Sequence, residues 1–220
     1  MVKNVVMKLL EQIKSKFSSS PKFATDGFNA ERLLNDTEAV QYVDSINQST
    51  VHQIFLQYID SSDSVLEVGA GRGDFYAAWK HSTQESVNYL GIDYNPNLVN
   101  VASIKYPGIP LIQLSYDQLT EEHIRDWTVT DMVNYNYGDI ENKYDYLVQV
   151  LNKMVTTCKK GAVILLATDK QMDDDKYLYY DPALVLTHCL TAYKDIALPM
   201  IDHTIADNGC VLYLKKYETT

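Results

Sequence analysis

Long apolar runs are missing from this chain. No stretch of its 220 residues approaches the ~18 consecutive apolar positions of a membrane-crossing helix, so no span of that kind is expected. Cysteine is scarce: Cys158, Cys189 and Cys210 lie far apart and form no CxxC pair, which reads as reduced thiols in a cytoplasmic protein. Basic residues are outnumbered, 19 Lys and Arg against 29 Asp and Glu, for a net charge of −10. A chain of that sign repels phosphate backbones, so duplex nucleic acid is a disfavoured partner. The five histidines, His52, His81, His123, His188 and His203, have no metal-ligand spacing, and no metal site is expected. Internal repeats and low-complexity segments are absent too. What remains is ordinary for a globular domain: 46% hydrophobic residues and enough length for one core with an N-terminal extension.

The chain divides near residue 60, with an N-terminal helical extension over 1–60 and the main domain over 61–220. "MVKNVVMKLLEQIKSKF" mixes lysines with Val6, Leu9, Leu10, Ile13 and Phe17 and lacks the unbroken apolar core of a signal peptide. It reads as a helix packing on its own domain or on a partner; a basic amphipathic helix lying on a membrane is the alternative. "SSSP" at 18–21 reads as a linker. Two helices follow, one with Leu33, Leu34, Val40 and Val43 on its apolar side, the next with Val51, Ile54, Phe55, Tyr58 and Ile59.

From residue 64 short apolar runs alternate with helices, the grammar of a buried parallel sheet. "SVLEVG", "NYLGID", "PLIQLS", "DMVNY" and "AVILLAT" are the strands. Asn95 with Pro96, and Asp181 with Pro182, are N-cap and first-turn pairs. A long helix is expected from Asp139 to Lys160, capped by Asp139 and closed by Lys159, Lys160 and Gly161. "DIALPMID" and "GCVLYLKK" then follow one another with only a short "DNG"-containing stretch between them, a hairpin rather than another crossover. The fold class is therefore α/β: a sheet of about five parallel strands that finishes with an antiparallel pair.

Gly69, Gly71 and Gly73 end the first strand in G-x-G-x-G register. A glycine turn there marks the ligand crevice of an open α/β sheet. The dinucleotide fingerprint G-x-G-x-x-G would need a third glycine where Asp74 stands, and a carboxylate at that helix N-terminus would repel a pyrophosphate. The triphosphate loop G-x-x-x-x-G-K-[ST] is absent. A ligand with adenosine and a bare ribose remains, since Asp93 ends the second strand where a carboxylate can accept both ribose hydroxyls. Acidic Glu67 and Asp74 would suit an ammonium or sulfonium charge.

"VLEVGAGRGDF" followed by "YLGIDYNPNLVNVA" resembles the class I S-adenosylmethionine-dependent methyltransferases, and the likeness runs from residue 64 to about 215 because the closing hairpin matches as well. "KYLYYDPALVLTHC" through "VLYLKK" is similar to a small bacterial branch of that family with no assigned substrate. The resemblance implies a Rossmann-like sheet, S-adenosyl-L-methionine as cofactor, and a cofactor site of Glu67, Gly69, Ala70, Gly71, Asp93, Tyr94, Ser115 and Tyr116. Glu67, Gly69 and Gly71 would face the methionine part, Asp93 the ribose and Tyr94 the adenine. The acid usual after the third strand is replaced by Ser115, so Ser115, Tyr116 or Asp117 would meet the adenine amino group.

The acceptor is expected beside the end of the fourth strand. Asn134, Tyr135, Asn136 and Tyr137 stand there, and Tyr179 and Tyr180 in "YLYYDP" are candidates for a wall of the same pocket. Asn134-x-x-Tyr137 has the outer residues of the [N/D/S]-P-P-[Y/F] motif of nucleic-acid amino-methyltransferases but neither proline, so a small-molecule acceptor is the main reading. A nucleic-acid or protein N-methyltransferase, a non-catalytic cofactor-binding module and an NAD-linked oxidoreductase are the alternatives. Asp139 and Asp169 fall roughly where catechol-type relatives hold Mg²⁺, but each is more economically a cap or a loop residue. The run 173–175 reads as a solvated acidic loop, and Asp202-His203 as a surface pair.

Overall fold

The computed structural model describes residues 45–84, 86–120, 127, 129–133, 142–168, 179–194, 196–202 and 209–217. The expectations for the first 44 residues lie outside this set.

One seven-stranded sheet carries the fold. In chain order its strands are β1 (Ser64–Val68), β2 (Asn88–Asp93), β3 (Leu111–Gln113), β4 (Val129–Val133), β5 (Gly161–Ala167), β6 (Ile196–Asp202) and β7 (Gly209–Lys216). Their order across the sheet is β3-β2-β1-β4-β5-β7-β6. β1 lies parallel to β2 and β4, and β3 and β5 extend the parallel set outward. β7 enters antiparallel beside β5, with Gly161 opposite Lys215 and Ala167 opposite Gly209, and β6 pairs antiparallel on its far side. Both parts of the expected sheet are thus present. Pro199 is tolerated because β6 is an edge strand, where one missing donor breaks no interior ladder.

Among the described residues the helices are α1 (Ser45–Tyr58), α2 (Asp74–Thr83), α3 (Pro96–Lys105), α4 (Lys143–Thr157) and α5 (Pro182–Ala192). Strand side chains alternate between two cores, as a pleated strand requires. Val65, Val163, Val211 and Tyr213 face Val51, Ile54 and Phe55 of α1 and Phe75 and Trp79 of α2. Leu66, Val68, Ile164, Leu166 and Leu212 face Leu147, Leu151 and Met154 of α4 and Val185 and Cys189 of α5. The described part of the N-terminal extension, α1, therefore shares a core with the sheet. Lys160 reinforces this by reaching Asp60 and Asp63, just after α1, at 2.7 Å each.

Two boundaries differ from expectation. α4 begins at Lys143 because Asn142 is its cap: the side-chain oxygen accepts from the amides of Tyr144 (3.1 Å) and Asp145 (3.3 Å). Asp139 lies outside the described residues. Gly161 does not close the helix but opens β5, and it is glycine for a different reason. A Cβ there would sit 2.2 Å from the carbonyl oxygen of Leu214, so the residue lets β7 approach. The caps at Asn95 and Asp181 are as expected, accepting from Asn97 (3.0 Å) and Ala183 (2.9 Å).

Candidate functional site

Gly69, Gly71 and Gly73 all have left-handed backbones, with φ of 77°, 55° and 77°. A side chain is strained in that region, which explains the residue type at all three places. Space separates their roles. A Cβ on Gly73 would strike the Ile109 side chain at 2.3 Å, so this glycine lets α2 start against the loop before β3. Nothing lies within 4 Å of a Cβ on Gly69, whose backbone borders open space. The turn is held at its entrance by the amides of Gly69 and Ala70, both donating to Ile92 O at 2.9 Å, and closed by Gly73 N on Ala70 O.

Asp93, at the end of β2, spans the crevice. One carboxylate oxygen accepts from the Gly71 amide and the other from the Asn95 amide, each at 2.8 Å. It thus sets the distance between the glycine turn and the start of α3. Burial pushes its pKa up to about 6, with the two amide donors opposing the rise. Glu67 lies deeper, buried on β1, and accepts a hydrogen bond from the Tyr89 hydroxyl. Burial raises it to about 8, the Tyr89 hydroxyl opposes this, and the charges of Asp74 and Asp93 add to it.

Asp74 occupies the first turn of α2 as expected, but its charge is already answered within the protein. It takes Arg72, Lys105 Nζ at 2.6 Å, the Tyr106 hydroxyl at 2.9 Å and Gln48 Nε2 at 3.1 Å. These donors outweigh the cost of burial and bring its pKa down to about 2. The expectation that Asp74 would face a cationic ligand is therefore corrected: its oxygens serve a network joining α1, α2 and α3. Arg72, Lys105, Tyr106 and Gln48 were not legible as a group, because they converge from α1, the glycine turn and the C-terminal end of α3. Buried His52 of α1 stands nearby, its pKa driven by burial to about 4 against the pull of Asp74.

On the far side of the crevice Tyr94 is half-buried, and its carbonyl accepts from the Gln113 side chain at 3.3 Å. Ser115 caps a 3-10 turn (Tyr116–Gln118), its amide and hydroxyl both donating to Gln118 Oε1 at 3.0 and 3.1 Å. Tyr116 turns to α4: Lys153 Nζ sits 4.3 Å from its ring centre, and its hydroxyl points to Val150 O at 3.5 Å. Asp117 is exposed. In this arrangement the Tyr116 side chain is committed to packing.

Asn134, Tyr135, Asn136 and Tyr137 lie outside the described residues, as do Asp169, the acidic run at 173–175 and His203. Tyr179 pairs with Ala167 in an isolated bridge, and its carbonyl accepts from Lys143 Nζ. Tyr180 is buried in the α4 core and its hydroxyl donates to Lys143 O at 3.2 Å. Among the described residues no group of three His, Cys, Asp or Glu is placed to hold a metal ion, and no helix is long and apolar enough to cross a membrane.

The chain matches the family model of protein-L-isoaspartate(D-aspartate) O-methyltransferase over residues 2–107, less than half its length. It is 29% identical over 127 residues to a demethylmenaquinone methyltransferase of Bacillus licheniformis, covering 57% of this chain and 53% of that one. A namesake from Lysinibacillus sphaericus is 28% identical over 119 residues, covering 54% and 50%. The chain thus spans about half the length of the curated relatives it matches. Two solved structures share the fold across nearly the whole chain. One is magnesium protoporphyrin IX methyltransferase from Synechocystis with bound S-adenosylmethionine (TM-score 0.56, 10% identity, 99% and 98% covered). The other is the plantazolicin methyltransferase BpumL with bound S-adenosylhomocysteine (TM-score 0.61, 12% identity, 99% and 98% covered). With the glycine turn and Asp93 placed at the ends of β1 and β2 in this strand order, the chain has the fold of the class I S-adenosylmethionine-dependent methyltransferases and is similar to them in sequence over about half its length.

Proposed function

We propose that this protein binds S-adenosyl-L-methionine in the crevice at the ends of β1 and β2 and transfers its methyl group to a small-molecule acceptor. The observation that carries the reading is the glycine turn itself. Three left-handed glycines leave open space beside Gly69 and are tied through the Gly71 amide to the carboxylate of Asp93. When bound, the cofactor would supply an electrophilic methyl group on a sulfonium sulfur.

The chain's own residues hold and align. Gly69 and Gly71 let the backbone approach the methionine part, Glu67 lies beneath it, and Asp93 takes the ribose with the lone pairs its two amide partners leave free. Tyr94 and the turn at Ser115 border the adenine side. Asn134 to Tyr137, with Tyr179, are retained as acceptor-pocket residues. No general base is assigned; alignment of acceptor and methyl group is the main contribution expected of the protein.

A small molecule is favoured over nucleic acid because the chain carries net charge −10 and the N-x-x-Y stretch lacks both prolines. Demethylmenaquinone, named in the two curated relatives, is an acceptor of that kind. The three buried free thiols suit a reducing, cytoplasmic setting.

Isothermal titration with S-adenosylhomocysteine tests the cofactor site. Wild type should bind and Asp93→Ala should lose binding at least about tenfold, since a charge-assisted contact and the turn's anchor go together. No binding by wild type, or equal binding by the variant, would sink the reading. Incubating a metabolite extract with labelled methyl donor then identifies the acceptor, and a cofactor-binding chain that labels nothing would be a non-catalytic module.

A further inference from the structure

Behind the glycine turn stands a tyrosine to which the family resemblance assigns no role. Glu67 of β1 is in register with Gly91 of β2, and Tyr89 precedes Gly91 by two residues on the same face of the strand. The bare Cα of Gly91 gives the Tyr89 side chain room to reach forward. A Cβ at 91 would lie 2.6 Å from the Tyr89 hydroxyl oxygen and 2.9 Å from the Ala70 Cβ. The Tyr89 ring is buried and packs against Tyr76 of α2, centroid to centroid 4.9 Å, and its hydroxyl donates to Glu67.

We propose that Tyr89 is a positioning residue for the cofactor site: by donating to Glu67 it turns the carboxyl beneath the glycine turn and stabilises its charged form, and so sets affinity for a cationic ligand. The inference rests on the function proposed above. The groups acting on Glu67 come from two elements. Tyr89 and Asp93 lie on β2 and Asp74 on α2. Each is neutral or acidic, so the positive charge of a ligand is the natural counterweight to an ionised Glu67. The Tyr89 hydroxyl is the group that favours this ionisation in the absence of ligand.

Tyr89→Phe removes one oxygen and keeps the ring on Tyr76. In calorimetric titrations of the full chain with S-adenosyl-L-methionine, Tyr89→Phe should weaken binding about tenfold, as loss of a hydrogen bond to a charged group does. Glu67→Gln should do the same, and Tyr89→Phe added to Glu67→Gln should cost less than about twofold more. Affinity should rise with pH as Glu67 ionises, with the midpoint displaced upward in Tyr89→Phe. A tyrosine that only packs would lower the melting temperature and leave that midpoint alone. Wild-type affinity and midpoint in Tyr89→Phe, or the full tenfold loss on the Glu67→Gln background, would overturn the proposal. A wild type that binds no S-adenosyl-L-methionine overturns the proposed function instead. In that case a carbon-13 NMR titration of Glu67 in the unliganded chain decides the Tyr89 claim: its midpoint must rise in Tyr89→Phe, and an unmoved midpoint refutes it.

Discussion

Three glycines within five residues do different things, and substitution should separate them. Gly73→Ala meets both a left-handed backbone (φ 77°) and the Ile109 side chain at 2.3 Å, so it should lower stability by ~1–3 kcal/mol in urea unfolding. Gly69→Ala has the same φ but no neighbour within 4 Å. It should cost ~1 kcal/mol of stability and a larger share of S-adenosylhomocysteine affinity, because the new methyl enters the space proposed for the ligand. The buried titratable groups give the molecule an unusual pH dependence. Glu67, about 8 when folded against 4.5 unfolded, keeps a proton that the unfolded chain gives up. Stability should therefore fall as pH rises between those values, and Glu67→Gln should flatten that fall. His52 works at the other end. Folded it titrates near 4 rather than 6.5, so the unfolded chain takes up the proton first and stability is lost as pH falls through that window. Thermal unfolding in a pH series with His52→Gln checks the second slope.

At the level of elements, the ends of α4 and β5 rest on single residues. Asn142 satisfies two amides at the start of α4, and Asn142→Ala should cost ~1 kcal/mol by urea unfolding. Gly161→Ala should cost more, because the contact at 2.2 Å is with the backbone of β7, which cannot move aside without opening the β5–β7 ladder. A loss no larger than that of Asn142→Ala would show that β7 does not approach β5 as described. Neither detail was readable beforehand. Asp139 and Asn142 are both good caps, and choosing between them takes the position of the helix. Gly161 after two lysines has the sequence signature of a helix end, and the strand it opens is recognised only once β7 lies beside it.

Across the whole molecule, contacts distant in sequence join α1 and the residues just after it to the sheet and to α2. Lys160 bridges Asp60 and Asp63, and Gln48 reaches Asp74. Lys160→Met should lower stability by ~1–2 kcal/mol, since Asp63 is buried and would lose its cation, and thermal unfolding at two salt concentrations measures it. Loss of the Lys160 bridge should leave S-adenosylhomocysteine binding within about twofold of wild type, because it lies outside the glycine network. Saturating ligand should in turn stabilise the folded chain, by ~2.7 kcal/mol at a hundredfold excess over its dissociation constant.

The alternation of apolar runs with helices, the G-x-G-x-G turn, Asp93 at a strand end and the two strands without a helix between them are local patterns. Because the periods of strand and helix differ, and because a glycine turn is made by adjacent residues, one dimension suffices to read them, and they carry the α/β class and the class of ligand. Where charges are spent is not local. Asp74 looks like an acid waiting for a ligand until Lys105, Tyr106, Arg72 and Gln48 close around it. The packing of Tyr116 under Lys153 of α4 and of Tyr180 in the core is likewise set by residues far away in the chain. Tyr89 is one of 17 tyrosines with nothing in its neighbourhood of sequence to mark it, and only the pairing of β1 with β2 sets its hydroxyl on Glu67. The residues of the turn are thus written in order along the chain. Their charge states depend on burial and on partners many residues away, which exist only once the sheet has formed.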